Sequence, residues 1–210
     1  MAASLRPPAL RVAALIPAAG ASSRMGRDKL AAQVAGRPML ARVADCLMGA
    51  GLDPLVVVCR GADDPRRAIL DGRPVLWADN PAWAEGMGTS IAAGVAALPE
   101  GLDGVAVCPG DMPLLAASDV MTVLAAFDGQ RITAARHEGR RGHPVIFPAR
   151  LFPQLLALTG DAGARAVVGA ERDRLALVDA GPGCLVDVDT PADLAAVSDP
   201  PPPPSPPPAT

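Results

Sequence analysis

The segment "PAAGASSRMGRDKL", residues 17–30, follows the apolar run "RVAALI" and sets small residues beside Arg24 and Lys29. Such a loop lets backbone N–H groups close on an anion while the two cations neutralise it, and a polyphosphate is the matching guest. The segment departs from both common phosphate loops: Gly20 and Gly26 do not fit GxGxxG, and Lys29 does not follow a glycine as in GxxxxGK[ST]. Read alone, it also fits an ordinary βα turn carrying two surface cations.

Three further places hold chemistry. Asp111 in "CPGDMP" is fenced by Gly110 and Pro113 after an apolar run. A carboxylate there, beside a triphosphate, is a natural Mg²⁺ ligand, because Mg²⁺ takes one or two carboxylates with phosphate oxygens and water. The alternative is an aspartate bonding its own backbone in a Gly/Pro turn. In "LVDVDTPADL", Asp187 and Asp189 alternate on a predicted strand and so share a face, where a bound cation would offset their repulsion. Thr190, Pro191 and Asp193 read separately, as N-cap, first helical residue and N3 acid of a helix. Finally, "GRRGHPVIF" carries His143, and "TGDAGARAVV" carries Asp161 and Arg165. Asp161 is expected to cap a helix that puts Arg165 one turn later, beside an N-terminus suited to a second anionic substrate. The plainer alternatives are that His143 shapes a turn before Pro144 and that Arg165 pairs with Asp161 across i, i+4. "DNPAWAEGMGTSIAAGV" adds a glycine-rich helix entry with Thr89 and Ser90, while Trp77 and Trp83 read as core or rim.

These residues need a scaffold that brings distant segments together. The 210 residues, half of them apolar, suffice for one α/β domain with a substantial core. Strands are predicted at 12–17, 55–60, 75–78, 104–109, 131–136, 144–147 and 185–188. Met39, Leu40, Val43 and Leu47 recur at helical spacing between the first two, with Gly49 and Gly51 ending the run. "GTSIAAGVAAL" and "AASDVMTVLAAF" supply more helices, so a mostly parallel sheet covered on both faces is expected. In open sheets of this kind ligands collect beyond the carboxyl ends of the strands, which is where all four polar places fall. We divide the chain into an N-terminal extension (1–10), a domain (11–198) and a proline-rich tail (199–210) that cannot build helix or strand.

Charge and cysteine usage narrow the function. A net charge of −3 with scattered Lys and Arg argues against a nucleic-acid partner. No apolar run approaches the ~18 residues of a membrane span, and the opening apolar stretch is short for a secretory signal, so a cytoplasmic protein is expected. Cys46, Cys59, Cys108 and Cys184 show no metal spacing and read as reduced, mostly buried thiols.

Taken together, "PAAGASSRMGRDKL", "NPAWAEGMGTSIAAGV", "CPGDMPLL", "RRGHPVIF", "GDAGAR" and "DVDTPADL" resemble the molybdopterin nucleotidyltransferase family, in its molybdenum cofactor cytidylyltransferase branch, over about residues 12–197. The resemblance implies a three-layer α/β/α Rossmann-like fold and transfer of CMP from CTP to the phosphate of molybdopterin-bound molybdenum. It implies nucleotide contacts at Ala18, Ala19, Gly20, Arg24, Gly26, Lys29, Gly110 and Asp111, with Arg24, Lys29 and Asp111 catalytic. Mg²⁺ would be held by Asp111 with Asp187 or Asp189, and the acceptor by His143, Asp161 and Arg165. A receiving molybdoenzyme is an implied partner. Pro17 is shared with cytidylyltransferases of isoprenoid synthesis, so the opening motif does not choose the acceptor. A guanylyltransferase of the same family, a cytidylyltransferase for an isoprenoid or sugar phosphate, an oxidoreductase on a related scaffold and a non-catalytic cofactor chaperone remain as alternatives.

Overall fold

The computed structural model describes residues 10–21, 25, 26 and 28–198. Arg24, most of the N-terminal extension and the proline-rich tail lie outside the described residues.

Seven strands form one sheet. They are β1 (Val12–Pro17), β4 (Leu55–Cys59), β5 (Val75–Asp79), β6 (Gly104–Val107), β7 (Ile132–His137), β8 (Arg140–Pro148) and β9 (Leu175–Asp179), in the order β5-β4-β1-β6-β8-β7-β9. A two-stranded ribbon, β2 (Gln33–Val34) with β3 (Arg37–Pro38), stands apart. Each long crossover carries a helix, and the helices in chain order are α1 (Met39–Gly49), α2 (Arg66–Ile69), α3 (Met87–Ala96), α4 (Ala117–Ala125), α5 (Phe152–Leu156), α6 (Arg165–Ala170) and α7 (Pro191–Ser198).

The apolar runs become central strands because both faces of the sheet are covered. Along β1, Val12, Ala14 and Ile16 pack into one core with α1 and α4, while Ala13 and Leu15 pack into the opposite core with α3, α5 and α6. The result is a three-layer α/β/α domain with a mostly parallel sheet, as the motifs imply.

Sheet direction decides what reaches the site. Strands β1, β4, β5 and β6 run parallel, so the loops 18–30, 60–65, 80–86 and 108–113 leave the same edge. Strand β8 runs antiparallel to β6, with Val107 opposite Val145. Its first residues, Arg140–His143, therefore overshoot the carboxyl end of β6 and arrive at that edge too.

One alternative and one expectation from the sequence are corrected here. His143 shapes no turn: it lies inside β8, and the β7–β8 turn is made by Glu138 and Gly139, both at positive φ (48° and 76°), as a twisted two-residue hairpin requires. Residues 185–188 form no strand. Pro182–Leu185 is a 3₁₀ turn and 186–189 is extended chain without a ladder, because the free edge of β7 is already taken by β9, which the sequence reading missed. The alternation there instead buries Cys184 and Val188, while Asp187 and Asp189 remain turned toward the site.

Candidate active site

Two cavities of about 470 Å³ each open side by side at the carboxyl edge of the sheet. Lys29, Asp111, Asp161 and Asp189 line both, and so mark the seam. The first cavity is closed by Gly20, Ala21, Trp83, Met87, Ser90 and Gly110, among others. The second has an apolar floor that includes Ile91, Val107, Val145, Phe147 and Val168, with Arg141, His143, Arg165 and Asp187 around it.

At the seam, Lys29 Nζ donates to Asp111 Oδ2 and, at 2.8 Å, to Asp189 Oδ1. Burial works to lower the Lys29 pKa, but Asp111 and Asp189 outweigh it and raise it above the usual lysine range, so the ammonium is charged at neutral pH. Lys29 opens a 3₁₀ turn, Lys29–Ala31, capped by Asp28, whose side chain accepts from Leu30 N–H at 3.1 Å. Asp111 emerges just beyond β6, and its carbonyl accepts from Val188 N–H at 3.0 Å, which fastens the 186–189 segment to the loop. Thr190 and Asp193 then form the expected reciprocal cap at the start of α7: Asp193 accepts from Thr190 N–H at 2.8 Å, and Asp193 N–H donates to Thr190 Oγ1 at 3.2 Å. Asp193 also accepts from Asp189 N–H at 3.2 Å, so the cap holds the chain that presents Asp189.

The opening loop is organised by two arginines that the sequence reading missed. Arg66, 3 % exposed, donates to Ala18 O, to Gly20 O at 2.9 Å and to Asp28 Oδ2 at 2.7 Å. Arg60 donates from Nε to Ala19 O at 3.0 Å and from Nη2 to Gly20 O at 2.8 Å. Three successive carbonyls are thus engaged, and the planar trans peptide turns the following N–H groups, of Ala19, Gly20 and Ala21, the opposite way. Those three find no acceptor among the described residues. A Cβ on Gly20 would meet nothing within 4 Å, so the loop leaves room for a close ligand.

The methyls of Ala18 and Ala19 are fully buried and line neither cavity. Their contribution is the pair of carbonyls held by arginine, not crowding of a ligand. Gly26 has φ +64°, a left-handed turn that favours glycine, and the Gly110 Cβ position is packed by Ile16, Leu40 and Leu30.

The far wall of the first cavity is built on Asn80, 3 % exposed, whose amide donates to Thr89 Oγ1 at 2.9 Å and Ser90 Oγ at 3.0 Å. Thr89 donates back to the carbonyl of Gly86 or Ala82. The wall touches the 159–161 loop closely: Gly88 N–H donates to Gly160 O at 2.8 Å, Cβ atoms at Gly86 and Gly88 would fall within 2.4 and 2.6 Å of that loop's backbone, and the Gly86 Cβ position also lies 2.5 Å from Asp161 Oδ1.

In the second cavity the His143 ring places Nδ1 3.3 Å from Val107 O. A carbonyl only accepts, so Nδ1 carries the proton and Nε2 is the acceptor. Burial lowers the His143 pKa, partly offset by the Val107 carbonyl and by Asp111, which keeps the ring neutral. Asp161 does not cap α6, whose N-cap is Ala164 without a side-chain bond, and no Asp161–Arg165 pair forms; both side chains line the second cavity and are exposed. The physical reason is that Ala162–Ala164 intervenes as turn, so α6 begins only at Arg165. Among the described residues, no group of three or more His, Cys, Asp and Glu sits close enough to hold a metal: Lys29 bonds both Asp111 and Asp189, and Asp187 lines the second cavity but not the first. All four cysteines are free.

Residues 14–175 match the family model described as the MobA-like NTP transferase domain. The chain is 30% identical over 189 residues to the nicotine blue oxidoreductase of Paenarthrobacter nicotinovorans, covering 85% of this chain and 92% of that one. It is 31% identical over 193 residues to a probable molybdenum cofactor guanylyltransferase of Deinococcus radiodurans, covering 90% of this chain and 95% of that one. Among solved structures it superposes on Rv0371c of Mycobacterium tuberculosis with a TM-score of 0.77 at 25% identity, over 90% of this chain and 97% of that one.

Proposed function

From the premise that this chain belongs to the MobA-like NTP transferase domain family, we propose that it moves CMP from CTP to the phosphate of a molybdopterin-type acceptor and releases pyrophosphate. The observation that carries the transferase reading is the seam. Lys29, Asp111 and Asp189 stand where two cavities meet, one walled by the Gly20–Ala21 loop, whose N–H groups have no acceptor among the described residues, and the other by an apolar floor with two arginines. The choice of cytidine rests on the resemblance of the opening and "GDMP" motifs.

In the reaction an acceptor phosphate oxygen attacks the α-phosphorus, the new P–O bond forms, and the bond from the α-phosphorus to the bridging oxygen breaks as pyrophosphate leaves in line. No protein nucleophile is required, so positioning and neutralisation carry the catalysis. The N–H groups of Gly20 and Ala21 bind phosphate oxygens in the first cavity. Lys29 is charged and already placed at the boundary, where negative charge grows on the leaving group, and Arg24 from the same loop adds to it. Arg141 and Arg165 hold the acceptor's phosphate over the second cavity, with its ring system on the apolar floor and against His143 and Asp161.

The donor set suits Mg²⁺: hard carboxylate oxygens, including Asp111 Oδ1, which is buried and has no hydrogen-bond partner. Asp111 and Asp189 would hold the ion and Asp187 would assist from the second cavity, with Lys29 passing from the carboxylates to the phosphates. Bound there, Mg²⁺ supplies positive charge to the phosphate oxygens. Among the described residues no helix is long and apolar enough to cross a membrane. The nucleotidylated product would pass to a receiving molybdoenzyme, the partner that the resemblance implies.

The test is pyrophosphate release with Mg²⁺, molybdopterin acceptor and CTP or GTP. On the resemblance to the cytidylyl branch, CTP should exceed GTP in catalytic efficiency by roughly tenfold or more, a discrimination of about 1–3 kcal/mol. A preference for GTP would move the chain to the guanylyl reading, for which the Deinococcus relative speaks. The Paenarthrobacter relative, a nicotine blue oxidoreductase, favours a second reading as an oxidoreductase. Absence of pyrophosphate with every nucleotide, together with a spectral change on adding reduced nicotinamide, would establish it instead.

A further inference from the structure

Arg60 leaves the carboxyl end of β4 and reaches two parts of the site that are far apart in sequence. Its backbone N–H donates to Asp64 Oδ2 at 3.1 Å, which fixes its starting direction. Its fork then engages Ala19 O and Gly20 O, and the guanidinium carbon stands 4.3 Å from the centroid of the Trp83 ring. Gly20 and Trp83 both line the first cavity.

We propose that Arg60 is a positioning residue, a strut that sets the spacing between the phosphate loop and the Trp83 wall of the nucleotide cavity and aims the Gly20 N–H into it. The proposal rests on the nucleotidyl-transfer reading above. The division of labour with Arg66 makes it specific. Arg66 holds Ala18 O and shares Gly20 O, so the peptides on either side of Ala19–Gly20 keep a partner without Arg60. Ala19 O has Arg60 as its donor, and the N–H rigidly opposed to that carbonyl is that of Gly20. Remove the strut and this peptide is free to rotate, which withdraws one phosphate donor and releases Trp83 at the same time. Arginine is the residue type the task needs: its planar fork binds two carbonyls while its face stacks on an indole, whereas an ammonium is a point charge.

Trp83 supplies the reporter. The chain has two tryptophans, so in a Trp77→Phe background Trp83 fluorescence follows CTP binding alone. Arg60→Met should raise the Kd and KM for CTP about tenfold, the loss of one well-aimed donor at about 1.4 kcal/mol per tenfold, while the acceptor KM stays within about twofold. Arg60→Lys should fail to rescue. Trp83→Leu should weaken CTP binding too, and in calorimetry the Arg60→Met/Trp83→Leu double variant should be little worse than Arg60→Met alone, since the two act as one unit. Unchanged CTP affinity in both Arg60 variants, full rescue by lysine, an equal rise in both KM values, or fully additive losses would each overturn the strut while leaving the transferase reading standing. Failure of the parent chain to bind any nucleoside triphosphate would overturn both.

Discussion

Replacing Asp111 by asparagine separates what this carboxylate does for the fold from what it does for the chemistry. Its Oδ2 is bound by Lys29, its Oδ1 has no partner, and Lys29 retains Asp189 at 2.8 Å in the variant. The structural loss is one largely shielded ion pair, offset by removing an unpaired charged oxygen, so about 1 kcal/mol of stability is the expected cost. For a domain of this size that is about 2–4 °C in Tm, and it leaves the protein essentially all folded. The chemical loss is larger. Removing one preorganised electrostatic group from a reacting centre typically costs about 10²–10³ in kcat, or about 3–4 kcal/mol. Pyrophosphate release should therefore fall at least a hundredfold at saturating Mg²⁺ while the melting curve barely moves. A second readout has the opposite sign. The three carboxylates of Asp111, Asp161 and Asp189 and the one ammonium of Lys29 sum to −2, and Asp111→Asn brings the sum to −1, so metal-free CTP should bind as well as before or better. Wild-type turnover in the variant, or weaker metal-free CTP binding with an unchanged fold, would refute the assignment of Asp111 to the metal.

Burial pushes the Cys59 thiol up to about 12 and the Cys46 thiol up to about 11, from an ordinary value of 9.0. Because these folded-state values are raised, the stability they contribute is complete below pH 9 and lost as pH rises toward 11–12; Tm should fall over that window, and Cys59→Ala should flatten the fall. Thr190→Ala removes the hydroxyl half of the α7 cap and should cost about 1 kcal/mol, read as 2–4 °C in Tm, with a raised KM for the nucleotide because the same cap steadies Asp189. Gly88→Ala would drive a methyl to 2.6 Å from Thr159 O, and an overpacking cost of about 1–3 kcal/mol should appear in Tm together with higher KM values for both substrates.

What the sequence disclosed follows from how local each signal is. Strands β1, β4 and β6 are buried on both faces, so they appear as unbroken apolar runs, and the Thr190–Asp193 cap is written within four residues. The edge strand β9 is half exposed and ends in a charge, which gives no clean period, whereas the apparent alternation near 185–188 came from Cys184 and Val188 being buried singly by a loop. His143 looked like a turn residue because a strand that outruns its neighbour has the same composition as a loop. Lys29 and Asp111 were legible as types, but their direct contact, across 82 residues, was not. Arg60 and Arg66 left no trace at all: each works by reaching main-chain carbonyls more than 39 positions away, and a carbonyl has no letter in a sequence. Asp28 did leave one, as an aspartate directly before a helical turn.

The close contact between the 86–88 and 159–161 segments has a meaning for how such a protein can change. With glycines at 86, 88 and 160 and only the Asp161 carboxylate reaching the joint, there is little to trim or enlarge when one segment is altered. A new base preference built into the first segment displaces the second, and a new acceptor loop displaces the wall behind the nucleotide. Under the proposed reaction, donor and acceptor selectivity are therefore coupled, and a graft intended to redirect either substrate is expected to need both segments as a matched pair.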